Sequence, residues 1–176
     1  MSAAFRVAFN DTLGTRKKVE TITSNKGESE PDFLKRVGKR TFSLSKKNSV
    51  EHCGNICSMT DANGNVSFSV EIMTDNNPIA CGINTNSCSA GFSPSNISIH
   101  SHVRKFLLTD ELRKFDSKFN RMPSRMTQAR GEIDRFSKPD LSFVQKTGFD
   151  LYLSDSKGLL RLPANAKSRD DTVRIK

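Results

Sequence analysis

The sequence predicts a single α/β domain, in which a mixed central sheet holds a histidine-bearing strand, two helices pack on that sheet, and one long connection forms a flap. Three observations carry this expectation. Alternating apolar segments flank an Asn-Gly turn; two segments open with helix-start signals; and "ISIHSHV", residues 97–103, sets two of the three histidines on either side of one serine. A length of 176 residues suits one packed domain with extensions better than two domains.

Taken in order, residues 1–29 show weak periodicity, run into the polar "TSNKGESE" of residues 23–30, and read as an N-terminal arm. A helix is expected over residues 30–45. Ser29 is its candidate cap, Pro31 suits its first turn, and Phe33, Leu34, Val37 and Thr41 share one face. "VEHCGNICSMT" and "VSFSVEIMT" then flank "DANGN", where Asn63-Gly64 predicts a tight hairpin with positive φ at both central positions. Val66, Phe68, Val70 and Ile72 alternate with polar residues, the pattern of a strand with one buried face.

The stretch from Asp75 to Asn96 is rich in Asn, Ser, Pro and Gly and reads as a long loop before the histidine strand. Beyond His102 comes an inserted segment, residues 103–136. It contains "LTDELRKFDSKF", whose Leu108, Leu112, Phe115 and Phe119 fall at helical spacing and suit an anchor against the core. A short helix over 138–147 ends at Gly148, a strand pair follows in "FDLYLSD" and "LLRLP", and residues 164–176 read as a polar tail.

Charge is unevenly placed. The net charge is +9, yet residues 51–100 carry four acidic residues and no Lys or Arg. A centre of that kind suits a cation site near Glu51 and His100, while the basic flanks read first as a solvated surface and second as a face for an anionic partner. No apolar run is long enough to span a bilayer, and the amino terminus lacks a basic segment followed by a long apolar one, so a cytoplasmic setting is expected. In that setting Cys53, Cys57, Cys81 and Cys88 are expected as free thiols; a Cys81 to Cys88 bridge suits an exported protein. Their C-x3-C and C-x6-C spacings are not those of a zinc ribbon.

In a strand, residues i and i+2 point the same way, so His100 and His102 converge while Ser101 faces the other side. A catalytic zinc takes three protein ligands and leaves a fourth position to water. Asp140 in "FSKPD" is the candidate third ligand, and Ser137 with Asp140 also forms the S-x-x-D of a capped helix start.

His100-Ser101-His102 followed by Ser137-x-x-Asp140 resembles the two halves of the motif of the JAB/MPN metalloprotease superfamily, the JAMM isopeptidases. "EHCGNIC" is similar to that family's upstream glutamate context, through Glu51, Cys53, Gly54 and Ile56. The resemblance covers about residues 30–163, and it looks closer to bacterial and phage-associated relatives, including domains attached to Rhs-type toxins, than to eukaryotic deubiquitinases. It departs from the family at Val103, where proline is usual, and in the long connection over 103–136.

The resemblance implies a JAB/MPN-like fold, related to that of cytidine deaminases, and zinc held by His100, His102 and Asp140. It also implies Glu51 as general base then acid, Ser137 as oxyanion donor, and a protein or peptide substrate such as a ubiquitin-like modifier or cell-wall peptide. Glu71 is a rival base, ranked below Glu51 because it is the outward member of an alternating strand. His52 is expected in a structural or surface role, and Cys53 and Cys57 as packing residues. Two other functions compete. One is a catalytically silent JAB-like binding module, opposed by the intact Glu51, His100, His102 and Asp140. The other is nucleic-acid binding, opposed by one tyrosine, no tryptophan and no recognition motif. A zinc deaminase would need H-x-E with P-C-x-x-C, which the chain lacks.

Overall fold

Alternation in "VSFSVEIMT" buries Phe68, Val70 and Ile72, and this segment is one of seven strands in a single mixed sheet. The computed structural model describes residues 16–77, 80–102 and 135–175. In chain order the elements are β1 (Lys17–Thr23), α1 (Glu30–Asn48), β2 (Cys53–Thr60), β3 (Val66–Thr74), β4 (Ser93–Ser101), α2 (Lys138–Thr147), β5 (Asp150–Asp155), β6 (Gly158–Leu162), a 3-10 turn (Arg169–Asp171) and β7 (Val173–Ile175). Across the sheet the order is β1-β3-β2-β4-β5-β6-β7, and β4 with β5 is its one parallel pairing among the described residues.

The caps explain where the helices lie. Ser29 accepts a hydrogen bond from Asp32 N, Pro31 occupies the first turn, and Ser49 ends α1 in the left-handed conformation. Helix α1 lays Phe33, Leu34, Val37 and Leu44 on one sheet face, against Ile56, Val70, Ile72 and Ile99. Phe33 and Val37 are 0% exposed, and burial of each is worth roughly 1.5–3 kcal/mol, so truncating either would loosen α1 first.

On the opposite face, α2 joins Val144 to Leu151, Leu153, Leu160 and Leu162. Strand parity divides the two clusters: Ile99 pairs with Tyr152 toward α1, and the next rung, His100 with Leu153, faces α2.

Several expectations change. The segment read as an arm contributes β1, which pairs with β3 through a register shift between Lys18 and Glu20. The segment read as a polar tail contributes β7, paired with β6 and tied by Arg174 to the buried Asp155 at 2.7 Å. Both lie at the sheet edges with most of their side chains exposed, and β7 is only three residues long, so neither carries the long apolar alternation that marks an inner strand. Helix α1 runs three residues beyond the expected end, and β4 begins at Ser93, which shortens the preceding loop.

The hairpin between β2 and β3 is a five-residue loop, not a two-residue one. Asp61 Oδ1 accepts from Asn63 N and Asn65 N, and of the Asn63-Gly64 pair only Gly64, at φ 83°, takes positive φ. The cysteines are not free thiols: Cys53 bonds Cys81 and Cys57 bonds Cys88, so the expected Cys81–Cys88 alternative is also replaced. The helix expected over residues 108–119, and most of the 103–136 flap, lie outside the described residues.

Candidate metal centre

Strands β2 and β4 are antiparallel, with Cys53 opposite His100 and Ser101 N donating to His52 O at 3.0 Å. One step further along the register sets Glu51 beside His102, on the sheet face that Cys53 and His100 share. Helix α2 begins over that face, so its N-terminal carboxylate reaches the histidines. His100 Nε2 lies 3.1 Å from His102 Nε2 and 3.4 Å from Asp140 Oδ1; His102 Nε2 lies 3.6 Å from Asp140 Oδ2.

These spacings can be tested against an ion. A tetrahedral zinc with bonds of about 2.0–2.1 Å has ligand atoms about 3.3–3.4 Å apart. The 3.1 Å imidazole contact is near that edge, while the two histidines face different Asp140 oxygens; taking one donor atom per residue, those of His100, His102 and Asp140 all lie within 4.8 Å of one another, a group compact enough to hold one ion. With one Nε2 protonated and the other not, the 3.1 Å contact is a single N–H···N hydrogen bond, and both nitrogens also face the Asp140 carboxylate. His100 Nδ1 is buried without a hydrogen-bond partner among the described residues, which leaves Nε2 as the nitrogen with polar company. The set of two imidazoles and one carboxylate therefore fits zinc.

Asp140 holds two roles at once. It is the third residue of α2, and Ser137 is the cap: Asp140 Oδ2 accepts from Ser137 N and from Ser137 Oγ, each at 2.7 Å. The cap fixes the carboxyl group, and Oδ1 is left facing His100. Burial acts to raise the Asp140 pKa, but the His100 and His102 imidazoles outweigh it and hold the carboxyl well below its usual range.

Glu51 is 7% exposed. Its backbone is held from both sides, by Asn77 O accepting from Glu51 N and by Thr74 Oγ1 donating to Glu51 O, each at 2.8 Å. Burial pushes its carboxyl up to about 8, with the nearby Asp140 charge adding to the rise and His102 opposing it. A carboxyl placed there can hold or release a proton near neutral pH.

The remaining candidates separate cleanly. Glu71 pairs with Lys18 at 3.2 Å, away from the histidines. His52 is 0% exposed on the α1 side, and burial lowers its pKa. Cys53 and Cys57 staple the loop between β3 and β4 to the sheet. Phe136 was not among the residues singled out, yet it is 0% exposed, its ring centroid lies 6.1 Å from that of His100, and it packs in one cluster with Leu141. The signal for it is the hydrophobic staple, an apolar residue just before a cap packing on the fourth helical position. Comparison of the chain with family models, curated proteins and solved structures finds no match.

Proposed function

We propose that the protein is a zinc-dependent metallopeptidase or isopeptidase, with the residue roles that the JAB/MPN resemblance implies. One observation supports this above the others: His100, His102 and Asp140 bring one candidate donor atom each within 4.8 Å of one another, beside the buried Glu51. Bound by those three residues, zinc would supply Lewis acidity toward a scissile carbonyl and lower the pKa of a water.

The chain's own groups account for the proton traffic. Glu51 would accept a proton from the attacking water and return it to the leaving amine, the general base then acid role that the resemblance implies. Ser137 orients Asp140 through its hydroxyl, and the oxyanion role requires that hydroxyl to turn from Asp140 Oδ2 to the substrate. Phe136 shields His100 from one side. The substrate class is a protein or peptide, a ubiquitin-like modifier or cell-wall peptide among them. Two disulfides favour an oxidising compartment, hence an exported protein, over a cytoplasmic one.

A catalytically silent binding module of the same kind is the second reading, favoured by the commitment of the Ser137 hydroxyl to Asp140. Metal analysis and hydrolysis assays separate the two. About one zinc per chain in the wild type, lost in His102→Ala and Asp140→Ala, supports the centre. Cleavage of peptide or isopeptide substrates that disappears in a zinc-loaded Glu51→Gln variant supports the enzyme. Zinc without cleavage across a broad panel points to the silent module, and no zinc in folded, zinc-supplied wild type refutes the peptidase and favours the silent module.

A further inference from the structure

We infer that a closed ring of buried hydrogen bonds through His52, Ser45 and Ser101, on the sheet face away from the metal centre, positions the histidine strand against the segment that carries Glu51. The inference rests on the metallopeptidase reading for its consequence, and on the following geometry for its existence.

Ser101 lies between His100 and His102, and His52 directly follows Glu51. Their side chains point to the α1 face, where Ser45 and Asn48 in the last turns of that helix meet them. The ring can be traced donor by donor. Val50 O, an acceptor only, lies 3.0 Å from His52 Nδ1; Asn48 Nδ2, a donor only, lies 3.4 Å from His52 Nε2. The His52 proton is therefore on Nδ1. That N–H is shared with Ser45 Oγ at 2.9 Å, Ser45 Oγ in turn donates to Ser101 Oγ in close contact, and Ser101 Oγ donates to His52 O at 3.3 Å. The path begins and ends on His52.

Ser45, Ser101 and His52 are 1%, 0% and 0% exposed, so water does not stand in for a missing member. The surroundings are apolar, with Leu44, Val37 and Ile99 in the same helix–sheet layer. Three polar groups in such a layer favour one arrangement of their partners, because any shift leaves a buried donor or acceptor unmatched.

What they fix is one rung of the β2–β4 pairing. Ser101 N also donates to His52 O, so this rung carries a backbone bond and a side-chain bond to the same carbonyl. On one side of it stands the Cys53–His100 pair, and on the other Glu51 beside His102. None of the ring's side chains faces the His100–His102–Asp140 group. They act through the backbone, as positioning residues, and Ser45 makes the end of α1 part of the same device.

The test uses the full chain with Ser45→Ala, Ser101→Ala and, as a control, Ile72→Val, a core truncation on the same face but outside the ring. Zinc affinity is measured by chelator competition, and the ligand field by the visible spectrum of the cobalt-loaded protein. The expected result is zinc binding weakened about tenfold or more in both serine variants with altered cobalt bands, while Ile72→Val melts earlier and keeps wild-type affinity and spectrum. Wild-type zinc affinity and cobalt spectrum in the serine variants would overturn the inference and leave the ring a purely structural feature. Should Ser101→Ala not fold, Ser45→Ala decides, since it leaves the ligand strand untouched. Absence of zinc binding in wild type would instead refute the metallopeptidase reading and this consequence together.

Discussion

Replacing Cys57 and Cys88 together by alanine is expected to lower stability by about 2.8 kcal/mol at 25 °C, because with Cys53–Cys81 still in place the lost bridge closes a loop of only about 12 residues, from Cys57 back to Cys53, across that bridge and on from Cys81 to Cys88. The same path sets the same figure, about 2.8 kcal/mol, for removing Cys53–Cys81 alone. For a chain of 176 residues each kcal/mol moves Tm by roughly 2–4 °C, so either loss corresponds to about 6–11 °C. Thermal unfolding followed by circular dichroism, without reductant, measures the shift, and thiol titration of the unfolded, unreduced chain counts free cysteines. The two bridges should differ in one respect. Cys53 stands opposite His100, whereas Cys57 lies four residues further along β2, so loss of Cys53–Cys81 should also weaken zinc binding and loss of Cys57–Cys88 should not. Four reactive thiols in unfolded, unreduced wild type, or a Tm change below about 2 °C in both double variants, would refute the reasoning.

Other consequences follow from single positions. Burial raises the Glu51 carboxyl above its ordinary value, so the folded chain holds that proton more tightly than the unfolded one, and ionisable Glu51 costs stability as pH rises from 4.5 to about 8. Glu51→Gln should therefore stabilise the chelator-treated protein by up to about 3 kcal/mol at pH 7 and by almost nothing below pH 4.5; equal effects at both pH values would contradict this. A Cβ at Gly54 would lie 2.5 Å from Val70 Cγ2 and 2.9 Å from Glu71 O, so Gly54→Ala should cost roughly 1–3 kcal/mol in urea unfolding, and an unchanged midpoint would count against the close approach of β2 and β3. Arg174→Ala would leave Asp155, 1% exposed at its side chain, without its cation. Because burial of Asp155 is outweighed by Arg174 and backbone donors, its carboxyl is held low. The loss, roughly 1–3 kcal/mol at pH 7, should fade as pH falls through the Asp155 pKa, and a pH-independent loss would argue against the pair.

What was legible in the sequence was local chemistry with a fixed geometry. Ser29 with Pro31 marks the start of α1, Ser137 with Asp140 and Gly148 mark both ends of α2, and alternation in residues 66–74 marks an inner strand. The spacing of His100 and His102 foretold a shared face, and Asp140, the third candidate from the Ser137-x-x-Asp140 helix start, lies beside them in the structure. Edge strands escaped because their residues, such as Lys17, Lys18 and Glu20, answer to solvent more than to a core. Cysteine pairing escaped for a different reason: Cys53–Cys81 depends on where a loop lies over the sheet, which no spacing of four cysteines determines. Asn63-Gly64 misled on loop length because the organising group is the Asp61 carboxylate, two residues earlier, which gathers the backbone of Asn63 and Asn65. The burial of Glu51 likewise depends on Thr74 and Asn77, contributed by the end of another strand and the loop after it.

The single parallel pairing has an architectural consequence. Four strands from residues 17–101 lie on one side of the β4–β5 junction, and three from residues 150–175 lie on the other, so the sheet is two sequence-contiguous halves meeting along one seam. The two histidines belong to the first half, and the carboxylate arrives on the crossover that leads to the second. An ion held by all three would straddle the seam, and its binding would report whether the halves have docked. Synthesis from the amino terminus delivers Glu51 and both histidines before Asp140, so the His100–His102–Asp140 group can be completed only once the crossover has returned to the sheet.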